Sequence, residues 1–495
     1  MLERALTSAT GLILLYLAWA WGGLQPAWLI PAVWACAILL GGVLFCGITC
    51  RGASASGGVS WWRDVFFYAG LMFLLYLTVQ WWNAGRSLFF DVGLGEWRCS
   101  PPRHRGWPSS FSRAESVQAL TWFFPCWVLG LAVRSPALGS RGLYALLRAL
   151  VYGAGLLSLL GVVQFATHAK ARYWIRPAKD AFFASFGYVN HAAAFFVLMG
   201  ALAAGLLFRA AFRARAVEGS ASGSAARRHT LRIAALAASL VLCLVGANLS
   251  LSRAGVILAW SLAAFVAAYG LVRGWGKFNP VARVNLVAVT LATLCVFYFA
   301  VAGFGSSDIR KQFEVRKPVH HRVFPVLDNI NLTLGGRPEQ ASAAVRMWRD
   351  NAAFGVGAWG YRHLLAFYIP EDMWGKLVRT SGRANVHCDP LQFLAEFGAV
   401  GTAIMLTGLM ALIAPLFRAG EGGHADRAAG SRPGSQAEGR PYAVANHRNP
   451  VMIMGMVGVS LVVFFSLIDL PFRCPAILCT WVVVLAAMKK LKLDD

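Results

Sequence analysis

Residues 386–401 read VHCDPLQFLAEFGAVG. A histidine stands at the entrance, Asp389 and Pro390 open a helix, and Leu391, Leu394 and Phe397 give that helix an apolar face. The stretch carries the chain back into a hydrophobic run after a polar interruption that begins near Gly303. A long basic loop held between membrane helices is where chemistry is expected, because a fixed scaffold leaves function to its connections.

Outward from this stretch the chain is built for a bilayer. Its 495 residues are 58% apolar and 14% charged, a balance that excludes an ordinary soluble protein. At roughly 20 apolar residues per span, crossings are expected near 5–23, 27–48, 65–82, 116–134, 143–167, 189–209, 232–251, 254–272, 284–303, 388–417, 450–470 and 475–488. The expected fold is an all-α polytopic membrane protein of about twelve helices with one large helical loop. Its organisation is 1–303 (helices 1–9), 304–387 (loop domain) and 388–495 (helices 10–12). No small-residue cleavage site follows the first apolar run, so that run is expected to stay as a helix. Trp61, Trp62, Trp81, Trp82 and Trp107 fall near span ends, where amphipathic rings favour the water interface.

The basic stretches 209–232, 273–277 and 418–448 and the terminal KKLK share one side of a twelve-span arrangement. By the positive-inside rule that side is the cytoplasm, both termini lie there, and 83–115, 168–188, 252–253 and 304–387 face the opposite side. The net charge of +24 calls for an anionic partner. No finger, basic helix or aromatic–basic signature supports nucleic acid. Anionic membrane lipid or a phosphorylated lipid substrate fits better, and the 304–387 loop alone holds 12 Lys and Arg against seven acids.

Four places could carry chemistry. Arg253 follows Ser252 at the tight break between two spans, where an ionisable side chain costs about 2.5–3.5 kcal/mol at mid-bilayer and is kept for a cavity, a ligand or a snorkelling helix end. In GGRPEQASAAVRMWRDNAAFGVGAWGY, Pro338 predicts a helix start beside Arg337 and Ala341, Ala344, Val345 and Trp348 predict its apolar stripe. A guanidinium at such a helix end can fork two phosphate oxygens. Arg346 and Arg349 lie along the same helix and better suit its solvated face or a lipid contact, with Arg346 kept as a second candidate for that role. His387 can act as a base or as a helix cap, with Asp389 or Glu396 to orient it; Glu396 also suits a helix–helix hydrogen bond among small residues. Before Asn190 and His191, the stretch 168–188 offers Lys170, Arg172, Arg176 and Lys179, either to an anionic substrate or as an interfacial belt. No HExxH, paired-Cys or carboxylate cluster predicts a metal, and no cofactor is expected. Cys99, Cys388 and Cys474 fall at span edges on one side, which leaves a disulfide among them open.

Taken in order, GYVNHAA, SRAG between two spans, a large loop with Arg and GVG plus an aromatic, and a His before E-x-G-x-x-G resemble the O-antigen ligase family, which also includes O-antigen and exopolysaccharide polymerases. The resemblance runs from about Gly187 to Gly401. It implies a GT-C-like membrane glycosyltransferase of the bacterial inner membrane that takes an undecaprenyl-diphosphate-linked glycan as donor on the periplasmic face, without a metal. The acceptor it implies is lipid A-core or a second lipid-linked glycan. Arg253 and Arg337 would hold the diphosphate, and His387 would activate the acceptor hydroxyl. Cys388 stands where the family usually has an amide, and Ala341 where a tryptophan is common. A transporter of anionic lipids with a basic vestibule is the competing class.

Overall fold

The computed structural model describes residues 2–49, 64–177, 182–214, 223–275, 337–369, 385–417 and 449–493. Its helices are α1 (Leu2–Trp19), α2 (Pro26–Thr49), α3 (Val65–Trp82), α4 (Arg113–Arg134), α5 (Ser140–Ala166), α6 (Val189–Ala214), α7 (Gly223–Leu249), α8 (Arg253–Trp275), α9 (Arg337–Asp350), α10 (Tyr361–Leu364), α11 (Asp389–Phe417), α12 (Pro450–Ser466) and α13 (Pro475–Leu493). Among the described residues eight helices, α2 to α8 and α11, are long and apolar enough to cross a membrane. Three further apolar helices, α1, α12 and α13, occupy the positions of the remaining expected crossings. The expected crossing at 284–303 lies outside the described residues. The protein is an all-α polytopic membrane protein.

Two bundles share α13. One gathers α5, α7, α8 and α12 around α6; the other packs α2, α3 and α13 on α4, with α11 against α3. Alanine and glycine make α6 the innermost helix. A Cβ added at Gly205 would come within 2.8 Å of the Val451 Cα, and one at Gly458 within 2.8 Å of the Ala201 Cβ, so α6 and α12 approach at van der Waals distance. In an apolar solvent such close approach supplies the dispersion contacts that hold helices together.

The α-only expectation needs one addition. The stretch 83–112 carries a hairpin, β1 (Leu88–Asp91) antiparallel to β2 (Glu96–Cys99), and the 168–188 stretch a shorter pair, β3 (Ala171–Arg172) with β4 (Arg176–Pro177). The first turn is closed by Asp91, whose Oδ1 accepts from the amides of Gly93 and Leu94.

The loop helix α9 begins at Arg337, as expected, but its buried residues are Gln340, Ala343, Ala344 and Met347, one position earlier than the predicted stripe. With alanines on several faces the sequence marks this register weakly. It is set instead by a small separate core of Val356, Tyr361, Leu364, Val386 and Ala395, and by the Tyr361 hydroxyl donating to the Gln340 carbonyl at 2.9 Å.

Candidate functional site

The site forms where α6, α9, α11 and the turn between α12 and α13 meet. Apolar α12 ends at Ser466, and Pro471 and Pro475 confine the next residues to a 3-10 turn before α13. Asp469 stands in that turn, its side chain 2% exposed. It accepts from its neighbour's amide, Leu470 N, at 2.8 Å, from the Tyr188 hydroxyl at 3.0 Å and from Asn190 Nδ2. Arg337 Nη2 lies 3.8 Å from its Oδ2, and His387 Nδ1 lies 3.5 Å from its Oδ1.

Burial alone would raise the Asp469 carboxyl. His387, the Arg337 charge and the Leu470 amide outweigh burial and hold it below the usual carboxylate range. The same burial, with Asp469 beside it, raises the Tyr188 phenol, which therefore stays a donor.

His387 adopts a left-handed backbone, φ +55°, immediately before α11. Its Nδ1 is buried on the Asp469 side while the side chain keeps 29% of its surface exposed. At 3.5 Å Nδ1 makes no hydrogen bond, so the carboxylate faces one edge of the ring and the other edge is left to a ligand. Asp389 does not orient the ring: its Oδ2 accepts from Phe472 N at 2.8 Å and anchors the 3-10 turn. Cys388 is half-buried, with its thiol pushed up by burial. Cys99, Cys388 and Cys474 are all free thiols, so no disulfide joins them.

The other candidates separate. Arg337 also donates from Nη1 to the Ile468 carbonyl at 2.9 Å. Arg346, on the exposed side of the same helix, donates instead to the Tyr368 carbonyl. Asn190 opens α6 within the Asp469 cluster and also donates to the Tyr188 hydroxyl at 2.7 Å. Arg253 is the exposed first residue of α8, which Ser252 caps by accepting from Gly255 N at 3.1 Å. Gly255 packs directly on Ala193 of α6, so the starts of α8 and α6 lie side by side and Arg253 shares an end of the bundle with Asn190. Arg176 stacks on Trp21, its guanidinium carbon 5.3 Å from the ring, beside Arg172 at 5.7 Å. That arrangement is a cation–π belt around one tryptophan, outside the contacts of Asp469. Lys179 lies outside the described residues.

What brings His387 into place is a backbone clasp. α11 breaks at Gly398 (φ +63°), and the two strands of chain exchange hydrogen bonds across the break: Val356 N to Ala395 O at 3.0 Å, Gly357 N to Glu396 O at 2.8 Å, Ala399 N to Ala352 O at 2.8 Å. The GVG turn and the E-F-G motif are thus halves of one contact. Tyr76 of α3 donates to both sides, Phe354 O at 2.8 Å and Phe397 O at 2.9 Å. Glu396 is fully buried and takes Gln392 Nε2 at 3.1 Å and Arg473 Nη2 at 2.5 Å, so its main partner is a cation in the α12–α13 turn. The Arg473 guanidinium also covers the Trp359 ring at 3.7 Å. On the far side Glu115 of α4 accepts from Arg362 and pairs with His363 Nε2 at 2.8 Å.

Sequence reasoning missed Asp469, Tyr188, Arg473 and Glu115. Asp469 carried a readable signal: in SLIDLPFRCP it is a lone acid at the end of an apolar run, the kind of position at which an ionisable group needs a partner. Among the described residues no group of three or more His, Cys, Asp or Glu is placed to hold a metal.

The helices and the ionic cluster at one end define a multi-pass membrane protein with a polar site at the margin of its spans. The family model described as O-antigen ligase matches residues 238–406, about a third of the chain. That segment contains Arg253, Arg337 and His387 but stops short of Asp469. The match supports O-antigen ligase-type activity in general. A search of curated proteins finds no match.

Proposed function

We propose that the chain transfers a glycan from an undecaprenyl-diphosphate-linked donor to an acceptor glycan on the periplasmic face of a bacterial inner membrane, with lipid A-core as acceptor. The observation that carries this reading is the convergence of His387 and Arg337 on one buried carboxylate, Asp469. In this scheme the 304–387 region supplies the loop domain, between transmembrane parts 1–303 and 388–495, and both termini are cytoplasmic.

Asp469 faces His387 Nδ1 at 3.5 Å, and in this scheme Nε2 takes the proton of an acceptor hydroxyl. The hydroxyl oxygen bonds to the anomeric carbon as the bond from that carbon to the phosphate oxygen breaks. The electron pair leaves with the diphosphate. Arg337 from α9 and Arg253 from the start of α8 stabilise the charge that develops there. Attack from the face opposite the leaving group inverts the anomeric centre, and linkage analysis of the product checks it.

Purified His387→Ala with lipid-linked donor tests the reading. Donor binding is retained and transfer is lost; unchanged product formation removes His387 as the base. A polymerase using a second lipid-linked repeat as acceptor has the same chemistry. The lipopolysaccharide profile of a deletion strain separates the two: loss of all attached glycan marks a ligase, and survival of a single attached repeat marks a polymerase.

A further inference from the structure

Between α5 and α6 the β3–β4 pair carries three residues at its tip, Tyr173, Trp174 and Ile175. Tyr173 and Trp174 have φ of +55° and +58°, the left-handed conformation that hairpin turns usually give to Asn and Gly. Two bulky residues adopt it here, and Tyr173 is tied down: its hydroxyl donates to the carbonyl of Trp19, the last residue of α1. The turn leaves Trp174 49% and Ile175 84% exposed. Charge around this apolar tip has one sign, since residues 168–177 hold Lys170, Arg172 and Arg176 and no acid.

The foothold of the hairpin sets its depth. Arg172 and Arg176 lie over Trp21, in the turn that joins α1 to α2, and Trp21 meets the Trp28 ring edge-on at 4.7 Å. That turn ends α2, an apolar helix of membrane-crossing length whose exposed Ile30, Trp34 and Ile38 share one face. Tryptophans gather at the ends of such spans because their rings are amphipathic. The hairpin therefore stands at headgroup level. An apolar tip with basic flanks suits that layer, with Trp174 and Ile175 at the hydrocarbon boundary and the cations at the phosphates. A glycan offers hydroxyls, and the Ile175 side chain has no polar atom to meet them.

We infer that the β3–β4 tip inserts into the headgroup layer of the leaflet on the site's side and binds anionic phospholipid through Lys170 and Arg176. The anchor also touches the frame of the site: the carbonyl of Gly22, next to Trp21, accepts from Cys474 Sγ at 3.4 Å, in the connection that carries Asp469. Lipid contact at the tip thus braces the α1–α2 corner against that connection. The contact requires neither donor nor acceptor, so it stands apart from the transfer proposed above.

The test uses the full chain with Ile175→dansylalanine, in phosphatidylcholine nanodiscs with increasing phosphatidylglycerol. Ile175 is exposed enough for the replacement to leave folding intact, which the melting temperature checks, and Trp174→dansylalanine is the second position. The expected result is an emission that moves to the blue as phosphatidylglycerol rises, with loss of quenching by iodide in the water and gain of quenching by a doxyl lipid labelled near the headgroup. Lys170→Gln should raise the phosphatidylglycerol fraction at half of the shift about fivefold, the weight of one cation beside an anionic surface. Lys170→Gln combined with Arg176→Gln should raise it further. Water-like emission at every composition, or an equal shift in pure phosphatidylcholine, overturns the inference. So does a shift produced by inorganic phosphate alone, which marks a site for free anions, or one that appears in phosphatidylcholine only when undecaprenyl diphosphate is added, which marks a substrate site.

Discussion

His387 Nδ1 faces Asp469 Oδ1 at 3.5 Å, and the carboxylate it faces is 2% exposed. Taking the acceptor's proton would leave a positive charge on His387, and the buried carboxylate is placed to compensate it. The pair joins the entrance of α11 to the α12–α13 turn, two elements that the chain order keeps apart.

His387→Ala should lower the transfer rate by about 10²–10⁴-fold, the usual contribution of a positioned base. Asp469→Asn should cost a part of that factor, on the order of tenfold, while leaving the Michaelis constant for donor within a few-fold. Acid dependence follows the same carboxyl. Its folded pKa lies below the unfolded value, so its stabilisation is complete above the unfolded value near 3.8 and is lost as pH falls through the lower, folded value. Melting curves of wild type should therefore steepen in their pH dependence below about pH 4, and Asp469→Asn should remove that component. A wild-type-like acid limb in the variant would show that Asp469 is not the group responsible.

Arg337 and Arg346 sit on one helix and make opposite predictions. Arg337 reaches Asp469 and the Ile468 carbonyl, whereas Arg346 turns to Tyr368. Removing a charged hydrogen bond to the diphosphate costs about 1.5–3 kcal/mol, which is roughly 10- to 100-fold in kcat/KM. Arg337→Ala should show that loss, and Arg346→Ala should stay within a few-fold. Steady-state kinetics with one purified donor checks both. The opposite ranking would move the anion site to the outer face of α9.

The helical spans were legible because a bilayer demands long apolar runs, and every expected crossing within the described residues has a helix. Short motifs single out His387, Arg337 and Arg253 in the sequence, and the structure brings the first two of them to Asp469. Asp469 was not legible, since its partners come from α6, α9 and α11, and no spacing along one segment encodes a meeting of four. The stripe of α9 was misplaced by one residue for a related reason: alanines around the helix leave the register to Tyr361 and Val386, which lie outside it. Glu396 was seen as a buried polar group, but its cation, Arg473, belongs to a different turn.

That ion pair yields a stability prediction. Glu396 and Arg473 have side-chain exposures of 1% and 17% and meet at 2.5 Å. Removing one partner of a buried pair leaves the other charge without compensation, at about 3–5 kcal/mol, while replacing both with apolar groups of similar volume is far less costly. Glu396→Gln should lower the melting temperature sharply in detergent, and Glu396→Gln combined with Arg473→Met should recover much of the loss. If the double variant melts no higher than the single, the charge pair is not what the single variant breaks.

Gly398 tests the clasp that sets His387. Its φ of +63° is a conformation that side chains rarely adopt, and an added Cβ would meet the Ala353 carbonyl oxygen at 2.5 Å and crowd the Gly355 amide. Gly398→Ala should therefore push the GVG turn away from α11. The turn carries Trp359, Arg362 and His363, so the displacement would loosen the Arg473 stack and the Glu115 pairings together. Transfer should fall by more than tenfold, and limited proteolysis should cut faster between α9 and α11. Gly41→Ala is the matched control: that position sits on α2 with open space where a Cβ would go. Its expected effect on transfer and proteolysis is nil. Equal behaviour of the two variants would mean that the backbone contact between Gly355 and Gly398 does not hold the site, and that His387 is placed by Asp469 alone.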